Sequence, residues 1–198
     1  MGLPVIVYCA DPCSAVFAAT AKEQAAAQKS QAQKAPEADA KRHDVTRVPL
    51  ADLPPPVQEM RDAILAAVMR GDFDELKTAI EWSELPPNFG LKPGVDPIQH
   101  WQETTRGKGT EILAILGEIL SGPPAKLPIG RDLENNAVYV WPYHSEVPPG
   151  ELTPAEQVEL FRIAGAEQAA EIIASGKWTW YRLAIGADGT WHLFARHE

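Results

Sequence analysis

The last 22 residues, KWTWYRLAIGADGTWHLFARHE, constrain the fold of this chain more than any other stretch. Asp188-Gly189 stands between two runs of β-branched and aromatic side chains, and an Asp-Gly pair in that setting is the strongest short-range signal for a tight antiparallel turn. Two strands, over about 177–185 and 190–196, are therefore expected to pair as a terminal β-hairpin. A hairpin alone is marginal in water, so its apolar face must be covered by the elements that precede it.

Those elements read as helices. Pro54-Pro55-Pro56 is followed by Val57, Met60, Ile64, Leu65 and Val68 at helical spacing, which predicts a helix over about 57–70. Gly71 suits its C-terminus, and Asp72 with Glu75 three residues on forms an acidic variant of a capping box for a second helix ending near Trp82. The pair resembles half of an ankyrin repeat, but one copy cannot make a repeat array. Asp96-Pro97 opens a third helix carrying Trp101, and GTEILAILGEIL turns Ile112, Ile115, Leu116, Ile119 and Leu120 inward before Gly122-Pro123-Pro124 stops it. Thr153-Pro154-Ala155-Glu156 is a full capping box at the head of one long helix that ends at Ser175-Gly176. Helices first, then a small antiparallel sheet with that long helix before the closing hairpin, is an α+β fold.

Between the fourth helix and the capping box lies AVYVWPYH, residues 137–144. Strand alternation places Val138, Val140 and Pro142 on one face and Tyr139, Trp141 and Tyr143 on the other. Pro142 has no N–H to give a ladder, which predicts an edge strand or the last residues of a strand. The aromatic row reads first as core, and His144 as a surface histidine at a strand end. An imidazole with Glu146 two residues on is nevertheless the kind of pair that does acid–base work. The candidate ligand site is accordingly a cleft between sheet and helices lined by Trp141, Tyr143, His144, Trp180 and His192.

The N-terminal part reads differently. Residues 1–21, MGLPVIVYCADPCSAVFAATA, are apolar and small and end in Ala19-Thr20-Ala21, the A-x-A arrangement a signal peptidase accepts. They lack Lys and Arg, and Asp11-Pro12 interrupts the apolar run. The expectation is a signal peptide and a periplasmic or secreted protein. Cleavage after Ala21 would remove Cys9 and Cys13, the only cysteines, and with them thiolate chemistry. Residues 22–55, rich in Ala, Gln, Lys and then Pro, hold too few large apolar side chains to offset the entropy of ordering and read as a disordered linker. Residues 56–198 are then a single α+β domain.

Residues 48–198 carry 12 Lys or Arg against 22 Asp or Glu, a net charge of −10 with histidine neutral. That sign opposes nucleic acid and anionic membrane as partners, and no run reaches the roughly 18 apolar residues of a membrane-spanning helix. Known catalytic spacings are missing. RGKGTEI does not meet the phosphate-loop pattern, and there is no G-x-S-x-G, H-E-x-x-H or dinucleotide fingerprint. Arg131, in the polar turn RDLEN, reads as a local ion-pair partner. No metal site, cofactor or catalytic residue is expected.

The ordered blocks IEWSELPPNFG, VDPIQHWQ, GTEILAILGEIL, RDLENNAVYVWPY, LTPAEQVELFRI and WYRLAIGADGTWHLF resemble a family of uncharacterised exported proteins of alphaproteobacteria. The resemblance covers roughly residues 55 to 195 and implies export without implying an activity. Two functions fit these readings. One is a non-catalytic periplasmic binding or interaction module for a protein partner. The other is a small-molecule-binding protein or enzyme whose helices leave a pocket over a curved sheet, as in nuclear-transport-factor-like folds, an analogy at the level of fold alone.

Overall fold

The computed structural model describes residues 45–129 and 136–197. The signal-peptide and linker readings of residues 1–44, Cys9, Cys13 and Arg131 lie outside them. Among the described residues six α-helices and a five-stranded antiparallel sheet make the α+β fold, with helices first and a hairpin closing it. The helices are α1 (Pro55–Arg70), α2 (Phe73–Glu81), α3 (Pro97–Thr104), α4 (Thr110–Ser121), α5 (Pro154–Ala164) and α6 (Ala166–Ser175). The strands are β1 (Thr46–Arg47), β2 (Ala125–Pro128), β3 (Ala137–Trp141), β4 (Tyr181–Gly186) and β5 (Trp191–Arg196), paired in chain order.

Local chemistry accounts for most of the boundaries. Pro55 and Pro56 occupy the first turn of α1, where a missing N–H costs nothing, and Gly71 closes the helix in the left-handed region. Asp72 caps α2 by accepting from the N–H groups of Asp74 and Glu75; the Glu75 carboxylate, expected to reach back in a capping box, accepts from Arg70 instead. Asp96 caps α3 in the same way. The capping box at Thr153 and Glu156 is complete.

The sheet separates two apolar clusters. Tyr139, Trp141, Leu183, Ile185 and Phe194 pack against Val57, Met60, Ile64 and Ala67 of α1 and the inner faces of α2 and α4. Ala125, paired with Val140 and so facing the other way, joins Leu160 and Ala164 of α5 and Ala169 and Ile172 of α6. Each fully buried side chain of this size is worth about 1.5–3 kcal/mol, so the first cluster is the main source of stability.

Four expectations change. Of the two alternatives for the Ala137–Trp141 strand the edge position is excluded, since β2 and β4 flank it, while its pairing ends at Trp141, just before Pro142, as the other alternative expects. The long helix is two, because Gly165 at φ 79° and ψ 167° breaks it into α5 and α6. Only glycine takes that conformation without strain. The first hairpin strand begins at Tyr181 rather than Lys177. The linker ends earlier than residue 55: Thr46 and Arg47 pair with Lys126 and Ala125, and Val48 and Leu53 are buried, so this stretch belongs to the domain. A two-residue strand gives no periodic signal, which is why it reads as tether.

Candidate functional site

The five residues expected to share a cleft are dispersed. Trp141 is fully buried in the first cluster and donates from its indole N–H to the Gly122 carbonyl at 3.0 Å. Tyr143 leaves the face of Trp141, because a 3-10 turn over Tyr143–Glu146 ends the strand alternation, and is fully buried in the second cluster. His144 is not a surface residue; it is 2% exposed. Trp180 is half-buried between both clusters under the Arg196 guanidinium, 5.2 Å above its ring. His192 is exposed on β5 beside Gly186, which pairs with Val138 at the start of β3, whereas His144 follows the end of that strand. The two histidines thus sit at opposite ends of the sheet.

His144 belongs to a polar group that ties α5 to β1. Its Nε2 lies 3.1 Å from Glu159 Oε2, and the same oxygen accepts from Arg47 at 2.7 Å. The guanidinium lies 5.1 Å from the centre of the Tyr143 ring. Hydrogen bonding to His144 and the charge of Arg47 hold the Glu159 carboxyl at about 2, against the opposing effect of burial. Glu146 and Arg182 form an ion pair in the part-buried region alongside. This arrangement fastens the first strand to the domain.

The RGKG loop is likewise accounted for. Lys108 and Gly109 take positive φ at the entry to α4, and the Glu111 side chain accepts from the Gly107 N–H. Glu111 titrates below the usual carboxylate range, chiefly because its own backbone N–H and that of Gly107 donate to it. The chain's own carboxylate takes the place an anion would occupy.

A cavity of about 610 Å³ opens elsewhere, between the segment leaving α2 and the β4–β5 hairpin. Trp82 and Leu85 form one wall, Asp188, Thr190 and His192 the other, with Glu84 and Asn88 at the rim and Trp191 beneath. The walls are fixed to each other. Ser83 Oγ accepts from the Trp191 N–H at 3.1 Å, Asn88 donates to the His192 carbonyl at 2.8 Å, and Phe194 donates to the Asn88 carbonyl at 2.9 Å. Below them Phe89 meets Trp101 and Trp191 edge to face. Such a strap pre-forms the cavity, as ligand sites usually require.

Two carboxylates and an imidazole reach this space. A Cβ on Gly186 would lie 2.6 Å from Asp188 Oδ1 and 2.7 Å from His192 Nε2, so both side chains also converge over the bare glycine, which lines an adjoining hollow of about 150 Å³. Hydrogen bonds from the Thr190 N–H first, and then from its hydroxyl, hold the Asp188 carboxyl below its ordinary value. Asp188 is therefore ionised at neutral pH. Trp82 is 59% exposed, an unusual position for so large an apolar surface.

Of the expected residues only His192 lines this cavity; Trp82, Glu84, Leu85 and Asp188 lie outside the expected set. Leu76, Ala79 and Ile80 share one side of α2 at 3.6 residues per turn, and Trp82, its C-cap, falls about 110° from that stripe. An aromatic off the apolar stripe and next to a Pro-rich turn was the available signal. Comparison with protein-family models, curated proteins and solved structures finds no match. Among the described residues no helix is long and apolar enough to cross a membrane, and no three His, Cys, Asp or Glu side chains are grouped to hold a metal ion.

Proposed function

We propose that the domain is a non-catalytic binding or interaction module, working in the periplasm or outside the cell, whose ligand sits in the cavity beside Trp82. One observation carries the reading: a strapped, pre-formed cavity keeps an indole 59% exposed at its wall, while the other aromatic residues around it are packed as core. Exposed tryptophan supplies large contact area at low entropic cost and is enriched where binding energy concentrates. The acidic domain remains a poor match for nucleic acid. The exported location rests on the apolar N-terminus and the family resemblance, and sequencing of exported protein would find a chain starting near Lys22 rather than at Met1.

The second reading, a small-molecule binder or enzyme, has one observation in its favour: Asp188 and His192 meet over Gly186, which sets an imidazole next to a carboxylate in a hollow of about 150 Å³ that shares both residues with the cavity. A thermal-shift screen of the full chain against metabolites, cell-wall fragments, nucleotides and divalent metals separates the possibilities. A ligand at 100 times its dissociation constant stabilises by roughly 2.7 kcal/mol. The cavity reading expects that shift to vanish in Trp82→Ala and persist in His144→Ala. Loss in His144→Ala alone would move the site back to the aromatic strand.

A further inference from the structure

The cavity does not stand alone. A second concavity of about 190 Å³ shares Trp82, Ser83, Asp188 and Thr190 with it and runs to Pro56 and Glu59. A third, of about 250 Å³, meets it at Trp82 and lies between α1 and α2 over Ala63, Ala66 and Ala79. On α1 the lining residues Pro56, Glu59, Ala63, Ala66 and Arg70 recur every three or four positions, which is one stripe of the helix beside its core stripe. The alanines keep that stripe low, so the three concavities form one groove around the exposed indole. From Pro56 to Arg70 it runs for about 21 Å, the span of about six extended residues.

Outside the Arg70–Glu75 ion pair the carboxylates set the charge along the groove. Glu59, Glu84 and Asp188 face it, and Asp188 is held ionised by the turn that carries it. The one Arg among the lining residues, Arg70, is committed to Glu75. A Lys or Arg side chain over the Trp82 ring would meet both the indole face and a carboxylate, while the aliphatic stems suit the alanine floor.

We propose that this groove binds an extended basic segment of a partner protein, with a Lys or Arg at Trp82 and aliphatic residues over α1. The proposal rests on the cavity being the binding site and names the class of its ligand. Length argues for a peptide over a free amine, because a single amine would fill only one of the three concavities. The acidic carboxylates supply orientation and on-rate, so affinity should fall steeply with salt.

The test uses the full chain and three probes: a blocked hexapeptide alternating Lys and Leu, its Glu–Leu counterpart, and N-acetyl-lysine methylamide. Calorimetry should give micromolar binding of the Lys–Leu peptide only. Trp82→Ala should weaken it at least tenfold, Glu84→Gln with Asp188→Asn should weaken it and flatten its salt dependence, and Leu85→Ala checks the wall if Asp188→Asn disturbs the turn. Equal binding of the acidic peptide, indifference to Trp82→Ala, or failure of the Lys–Leu peptide to bind overturns the proposal. The lysine derivative binding as tightly as the peptide overturns the extended-segment claim and leaves an amine site. A small-molecule thermal shift lost in Trp82→Ala, with no peptide binding, would sink this inference while the cavity reading stood.

Discussion

Glu159→Gln removes the charge that joins β1 to α5 while keeping the side chain's size. The wild-type carboxyl is held at about 2 against an ordinary 4.5, so its ionised form is favoured in the folded state. At about 1.4 kcal/mol per pKa unit, the complete linkage would be roughly 3.4 kcal/mol. The side chain is 36% exposed, and solvent screening reduces the expected loss to about 1–2 kcal/mol. The depressed pKa fixes the direction: the contribution is present above pH 4.5 and is lost as the pH falls towards 2. Urea unfolding of wild type and Glu159→Gln at pH 7 and pH 3 measures it. The variant should be less stable by about 1–2 kcal/mol at pH 7, and more than half of the difference should be gone by about pH 3. Amide exchange at Thr46 and Arg47 should quicken in the variant, because Arg47 loses its anionic partner. An equal difference at both pH values, or none at pH 7, would refute the account of this ion pair.

Three further outcomes follow from the same geometry. Gly189→Ala places a Cβ 2.8 Å from the Pro56 carbonyl oxygen at φ 88°, so thermal unfolding should show a loss of about 1–3 kcal/mol. Gly186→Ala pushes on the ends of two side chains rather than on backbone; it should displace His192 and Asp188 and change the ligand response with a stability change of about 1 kcal/mol or less. Trp141→Ala, in the middle of the first cluster, should cost about 3–5 kcal/mol, whereas Trp82→Ala should stay within about 1 kcal/mol in denaturant titrations.

The parts of the fold carried by local chemistry were legible in the sequence. Asp72, Asp96 and Thr153 mark helix starts through hydrogen bonds within three residues, and Asp188-Gly189 marks the hairpin in the same way. What depends on distant pairing was not legible. β1 has two residues and β2 includes Pro128, so neither shows an alternating pattern; they exist because β3 offers a ladder. That ladder also makes β3 central, so Pro142 marks the end of a strand, one of its two expected meanings, and not an edge. His144 was misread for a related reason: a histidine after a strand is buried here only because Glu159, from a helix 15 residues on, comes to meet it. The cavity depends on a loop at 83–90 strapped to β5, a contact across about 100 residues. Its one local trace was a tryptophan placed off the apolar stripe of α2.

The central claim is that binding happens at Trp82 and that the aromatic strand is core. The direct measurement follows the six tryptophan indole N–H signals by ¹H–¹⁵N NMR while the Lys–Leu peptide is added to the full chain. The account predicts that Trp82 shifts most, with Trp191 beneath the cavity responding more weakly and Trp141 and Trp178 staying in place. Movement of Trp141, Trp178 and Trp180 with Trp82 unchanged would contradict it and return the site to the strand ending in YVWPYH.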